Sequence, residues 1–198
     1  MSTSTSTDHD VSAENDETRS IGECALYSVE ALVPHFLDSL HRRGLTNRDS
    51  EATLLFLALV SRFSKDPISI VVKGVASLGK SHLVDMVLSY FSEDAYLWRT
   101  SMSGKALVHS QESLKHRFLV FAEATGASDV YFLQTLISEH RIRYEVSVQD
   151  EHGGWDTQVV EQEGPTGIIM TTTWSTLKLD MESRVISLEL DDSRDAVM

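Results

Sequence analysis

The sequence predicts an α/β domain of three layers, a central parallel sheet flanked by helices, preceded by N-terminal helices and carrying one inserted β-hairpin. Three observations lead there. Short β-branched or apolar runs alternate with helical stripes, as parallel strands and their crossover helices do. One strand-to-helix junction is the glycine loop Gly74-Val75-Ala76-Ser77-Leu78-Gly79-Lys80-Ser81. A single pair of alternating segments flanks Gly153-Gly154, the pattern of a hairpin.

Residues 1–20 are rich in Ser, Thr, Asp and Glu, with Val11 the only large aliphatic side chain after Met1. Such a segment cannot bury enough surface to offset its ordering entropy, so it is expected to be a disordered acidic tail before a domain over 21–198. From Glu23 to Arg43, Ala25, Leu26, Val29, Leu32, Val33, Phe36, Leu37 and Leu40 recur at helical spacing. Pro34 lies inside this stretch and predicts a break or kink, so the segment is one helix or two short ones. Asn47-Arg48-Asp49-Ser50 opens a second helix from Ala52 to Phe63, whose near-continuous apolar content predicts burial. Asp66-Pro67 ends it and launches a strand over Ile68–Val72, the kind of β-branched run that a buried parallel sheet uses.

After the glycine loop, Leu83, Val84, Val87, Leu88 and Phe91 form a helical stripe. Ala95–Thr100 reads as a strand, and Lys115–Glu123 as another ending in a carboxylate. A helix over Val130–His140 leads to the alternating strand Ile142–Val148, with Thr157–Val160 as its hairpin partner. Gly164-Pro165-Thr166-Gly167 turns the chain into Ile168–Thr173, a strand ending in hydroxyls, and Val185–Leu190 supplies the last strand. No internal repeat appears.

Composition bounds the function. At 198 residues and 41% hydrophobic content, the chain suits one domain with a full core. Cys24 is the single cysteine, so no internal disulfide forms, and no Cys/His cluster has zinc-ligand spacing. With no basic and apolar leader and no apolar stretch near the ~20 residues that span a bilayer, a cytoplasmic location away from membranes is expected. A formal charge of −13 argues against a free-standing nucleic-acid binder, because Lys and Arg neutralising phosphates supply most of that affinity. Neither a Gly-x-Ser-x-Gly elbow nor a Cys/His pair supports acyl-transfer chemistry.

The glycine loop fits G-x-x-x-x-G-K-[ST], which cradles the phosphates of a nucleoside triphosphate such as ATP. Gly74 and Gly79 let backbone approach phosphate oxygens, and Val75, Ala76, Ser77 and Leu78 complete the cradle. The helix that follows, with His82 directly behind the loop, contributes free N–H donors and a positive dipole end. Lys80 would reach the β- and γ-phosphates, and the Ser81 hydroxyl would ligate Mg2+. An ordinary glycine turn before Lys-Ser is the plainer alternative.

Triphosphate hydrolysis further needs a carboxylate at the end of a neighbouring strand, as general base or on the metal side, and Glu123 occupies that place. The usual residue before it is Asp, whereas this chain has Ala122. Thr171, Thr172 and Thr173 end a strand where a hydroxyl would meet the γ-phosphate or the attacking water, although β-branched Thr also simply favours strands. Arg184, just before the last strand, would reach the triphosphate of a neighbouring subunit and stabilise transition-state charge; a surface arginine paired with a carboxylate is the alternative.

This order of phosphate loop, carboxylate-ended strand, hairpin, threonine-ended strand and late arginine resembles the AAA+ ATPases. The resemblance is to the branch with a hairpin inserted before the sensor-1 strand, to which the minichromosome-maintenance helicases belong. Residues from about Val29 to Asp192 are more closely similar to bacterial ATPases of phage and mobile-element replication modules. The matching stretches are the phosphate loop, Met102–Leu107, Leu136–Glu145, Gly164–Gly167 and Glu182-Ser183-Arg184. The resemblance implies Mg2+-dependent ATP hydrolysis, self-association into a ring with sites between subunits, and work on DNA or a replication protein. Two departures accompany it: Ala122 in place of the strand-end Asp, and a chain that stops before the helical lid such ATPases carry after the last strand. The alternatives to a motor subunit are therefore a nucleotide-dependent binding or regulatory module with little turnover, or a truncated, inactive ATPase fragment. The hairpin also bears on DNA contact, because Asp150, Glu151, Asp156, Glu161 and Glu163 crowd it while only Arg141 and Arg143 at its base are basic.

Overall fold

Strands form where the apolar runs are densest, and the parallel register fixes which of their ends share an edge. The computed structural model describes residues 29–100, 107, 109–122, 130–149, 154–175, 177 and 179–191. The expected tail over 1–20, Glu123 and most of Met102–Leu107 lie outside the described residues. The chain divides into two units, Met1–Arg43 and Gly44–Met198.

In the first unit, α1 spans Val29–Arg42 and runs through Pro34 as one helix. Of the two alternatives, one helix or two short ones, the structure has one: a proline removes one hydrogen bond, and a single continuous helix absorbs that loss.

The second unit opens with α2, Asp49–Val60, with Asp49 and Glu51 in its first turn where carboxylates complement the helix dipole. A short 3-10 turn, Ser61–Phe63, follows. Ala52, Leu55, Phe56, Ala58 and Leu59 are buried. The expectation of burial all round fails on the other face, where Leu54, Leu57 and Val60 are 39%, 43% and 45% exposed. Their spacing of three places them on one stripe, and the helix buries only the opposite one.

The strands are β1 Ile70–Lys73, β2 Tyr96–Arg99, β3 Arg117–Phe121, β6 Thr166–Thr172 and β7 Ile186–Glu189. They form one sheet in the order β2-β3-β6-β1-β7, with every neighbouring pair parallel. Between β1 and β2 runs α3, Lys80–Leu88. The helix α4, Val130–Glu139, leads into the antiparallel hairpin of β4 Arg141–Gln149 and β5 Trp155–Glu163. A four-residue helix α5, Leu179–Glu182, precedes β7.

Alternation along the strands explains the layers. Val71, Leu97, Leu119, Phe121, Ile168 and Met170 form one core with Leu136 of α4 and Met181 of α5. Their neighbours Ile70, Val72, Phe118, Val120 and Ile169 face the other way and are equally buried. Both faces are therefore covered, as all-parallel sheets require.

Buried hydroxyls complete the β6 connections. Ser69 Oγ accepts from Ile168 N at 3.0 Å, and the hydroxyls of Thr166 and Thr171 donate to the carbonyls of Leu114 and Ala122. Gly164 and Pro165, joined by a cis peptide, link β5 to β6, and the turn expected over Gly164–Gly167 is cut short because Thr166 and Gly167 already belong to β6. The hairpin enters the sheet at the Thr166 end of β6, whereas Lys73 pairs with Thr172 at the other end. The glycine loop and the hairpin thus belong to opposite edges of the sheet.

Candidate functional site

The loop Gly74–Gly79 leaves β1 between β6 and β7 and becomes the first turn of α3. Its shape depends on left-handed backbone: Gly79, the helix N-cap, has φ 74° and ψ 18°, and Ser77 has φ 71°. Glycine adopts that region freely, whereas serine is strained in it by roughly 1–2 kcal/mol. Gly74 has φ 155° and is required for a second reason, since a Cβ there would lie 3.1 Å from the Leu190 carbonyl oxygen and 3.2 Å from Leu78 Cδ1. Val75, Ala76, Ser77 and Gly79 are exposed, as a loop receiving a ligand must be.

Lys80 is the exception, only 9% exposed. Its Nζ donates to the carbonyls of Gly74 and Val75, both at 2.8 Å, bridging the loop from its end back to its start. Among the described residues no carboxylate pairs with it. A nearly buried lysine whose acceptors among the described residues are two carbonyls suits an anion, because two neutral acceptors compensate its charge far less than a phosphate would. Ser81 and His82 are exposed on the first turn of α3, and the Leu83 N–H already bonds the Gly79 carbonyl at 2.8 Å. The donors left for a ligand are therefore those of the loop and the first helical residues.

Thr172 sits level with Lys73 in the sheet, one residue before Gly74. It is 1% exposed, and its Oγ1 accepts from Trp174 N at 3.1 Å, so the hydroxyl hydrogen remains to be donated. Thr171 is engaged with the Ala122 carbonyl, while Thr173 is exposed. The last residue of β3, Phe121, pairs with Met170 two positions before Glu123, which lies outside the described residues. Arg184 is exposed after α5; its Nε donates to Ser138 Oγ of α4 at 2.7 Å and its guanidinium also meets the Asp180 carbonyl. The structure thus gathers the loop, Lys80, Ser81 and Thr172 at one sheet edge, and shows Arg184 bonded within its own chain.

Sequence reasoning missed one group at this edge. Lys73, 4% exposed, forms an ion pair with Glu182 of α5. The available signal was a charged residue closing an apolar strand directly before the loop, since a buried lysine demands a partner. Hydrogen bonds from Lys73 and then Ser187 hold the Glu182 carboxyl below its ordinary range. A carboxyl whose value is depressed in the fold adds stability that is present above its unfolded value and lost as pH falls through the folded one. Acid thermal melts should therefore show the wild type losing Tm more steeply than Glu182→Gln below the usual glutamate range. Parallel curves for the two proteins would refute this.

A Mg2+ ion bound with a nucleotide takes one or two protein ligands and several oxygens from phosphate and water. The exposed Ser81 hydroxyl at the helix start suits that role. Among the described residues no group of three or more His, Cys, Asp or Glu side chains would form a protein-only metal cage.

At the other edge, the register sets Arg141 opposite Glu163 and Arg143 opposite Glu161. The register thus sets a carboxylate-bearing residue opposite each of the two hairpin arginines.

No protein-family model matches the chain, and no curated protein matches it. Solved structures do match in part. The apo C-terminal region of NrS-1 is 16% identical, with a TM-score of 0.43 over 84% of this chain and 39% of that one. NtrX from Brucella abortus in complex with ATP is 11% identical, with a TM-score of 0.41 over 90% and 40%. The S. cerevisiae Hsp104–ADP complex is 14% identical, with a TM-score of 0.47 over 93% and 40%. The chain spans about two fifths of the length of these structures. No helix among the described residues is long and apolar enough to cross a membrane. With five parallel strands covered on both faces, one inserted hairpin, and the glycine loop set between a central strand and its helix, the chain has the three-layer α/β fold of the P-loop NTPases.

Proposed function

We propose that the chain binds ATP with Mg2+ at residues 74–82 and hydrolyses it, as a cytoplasmic ATPase related to DNA replication helicases. The observation that carries this is Lys80, a nearly buried cation held by two loop carbonyls at the start of α3. In this reading Lys80 exchanges the carbonyls of Gly74 and Val75 for β- and γ-phosphate oxygens, and the loop N–H groups take the rest of the triphosphate. Ser81 holds Mg2+, which neutralises charge developing on the phosphates. Thr172 donates its free hydroxyl hydrogen to the γ-phosphate or the attacking water, and Glu123 acts as general base or metal-side carboxylate. Arg184 leaves Ser138 to reach the triphosphate of a neighbouring copy in a ring. DNA or a replication protein is the partner.

Mg-ATP is expected to raise Tm by roughly 5–10 °C when present at about a hundred times its Kd, since that excess stabilises by ~2.7 kcal/mol. Thermal melts with and without Mg-ATP, alongside calorimetric titration and phosphate release, check it. An unshifted Tm with no heat of binding would sink the proposal.

A second reading is favoured by Ala122 and by the carboxylates opposite Arg141 and Arg143. In it the chain is a nucleotide-dependent binding or regulatory module whose hairpin meets a protein, not nucleic acid. Tight Mg-ATP binding with phosphate release at background, unchanged by DNA, would favour this module; DNA-stimulated release would favour the motor.

A further inference from the structure

Lys73 is the last residue of β1 and the residue before Gly74. Its only described ion-pair partner, Glu182, accepts two further hydrogen bonds: from Ser187 Oγ of β7 at 2.7 Å and from Leu177 N at 3.2 Å. One carboxylate thereby joins the end of β1, the segment after β6, α5 and β7. Backbone reinforces the same junction, as Leu190 N donates to the Lys73 carbonyl at 2.8 Å.

The joined segments matter for the loop. Leu177 lies three residues after Trp174, whose N–H bonds the Thr172 hydroxyl, and Arg184 lies two residues after Glu182. The pair adds stability, yet stability by itself does not require this arrangement. Replacing such a pair with apolar residues of similar volume is often neutral or stabilising. Direction is what a carboxylate with three donors provides and an apolar contact does not.

We propose that Glu182 is a positioning residue: through Lys73 it fixes the start of the phosphate loop against the 173–184 segment, coupling nucleotide binding at the loop to the placement of Thr172 and Arg184. The coupling rests on the ATP-binding reading above. When Lys80 turns from the Gly74 and Val75 carbonyls to phosphate, the loop loses its internal bridge, and the Lys73 side becomes its remaining anchor. Without Glu182 that anchor moves, and the Leu177 N–H loses its acceptor at the same time.

The test uses the full chain and two readouts: Mg-ATP affinity by calorimetry, and amide hydrogen exchange without nucleotide. Glu182→Gln is expected to weaken affinity roughly tenfold, within the usual range of site-to-site coupling. It should also speed exchange at 74–79 and at 173–177. Phe118→Leu, a truncation of the fully buried ring at the start of β3 and outside the core that holds Met181, is expected to lower Tm while leaving both readouts unchanged. The double variant Lys73→Met/Glu182→Met removes both charges; it should recover Tm relative to Glu182→Gln but keep the weakened affinity. Wild-type affinity in either Glu182 variant, unaltered exchange in Glu182→Gln, or the same changes in Phe118→Leu would overturn the proposal. Wild-type protein that binds no Mg-ATP would overturn the ATP-binding reading instead, and exchange alone would then decide whether Glu182 fixes the loop.

Discussion

Lys80→Ala is expected to lower Mg-ATP affinity by about a hundredfold and to take phosphate release to background. Two charge-assisted hydrogen bonds to phosphate are lost, each worth roughly 1.5–3 kcal/mol, and ~2.8 kcal/mol already corresponds to a hundredfold. Stability should respond differently. Among the described residues the same side chain donates to two carbonyls, and it is nearly buried, so removing its charge costs the free protein little. Lys80→Met, which keeps the buried stem, should lose nucleotide as completely as Lys80→Ala while melting within a few degrees of the wild type. Calorimetric titration, phosphate release and thermal melts on the three proteins separate the effects. Retained affinity in Lys80→Met would remove Lys80 from the phosphate site.

The dependence of that result on a single side chain reflects how the site is assembled. Lys80 is placed by α3, α3 by the left-handed Gly79 at its cap, and the loop start by β1. Each step is local in sequence, which is why the strand, the loop and the helix were all legible in it. The hairpin was legible too, because alternation around two glycines has no other stable outcome on this scale; the structure only lengthens its strands to Arg141–Gln149 and Trp155–Glu163.

What stayed hidden depends on contacts between distant segments. Glu182 is separated from Lys73 by 109 positions, and no periodicity links them. Arg184 shows the same limit, since its bond to Ser138 spans 46 positions. The apolar run of α2 misled for a related reason: composition gives a helix its tendency to be buried, but only its neighbours decide how many faces they cover. Leu54, Leu57 and Val60 remain outside although their hydropathy equals that of the buried stripe. Pro34 left one helix or two short ones open, and the structure has one, which carries the loss of a hydrogen bond.

Gly167→Ala is expected to lower Tm by roughly 5–10 °C, the shift produced by about 2–3 kcal/mol in a domain of this size. Gly167 lies in β6 directly opposite Phe118 of β3. A Cβ at this position would stand 2.3 Å from the Phe118 ring, far inside van der Waals contact. The ring has no room to retreat, as Phe118 is fully buried. Alanine would ordinarily gain about 0.5–1 kcal/mol over glycine within a strand, so the sign of the result reports whether the clash dominates. Relief by shortening the ring gives the decisive comparison: Gly167→Ala/Phe118→Leu should be less destabilised than the sum of its two single variants, as neighbours sharing one space are. Because β6 also carries Thr172 beside the loop, the displaced strand in Gly167→Ala should weaken Mg-ATP binding as well, and the double variant should regain part of it. An unchanged or raised Tm in Gly167→Ala would show that β3 and β6 part easily, and that the parallel sheet does not hold Thr172 in place.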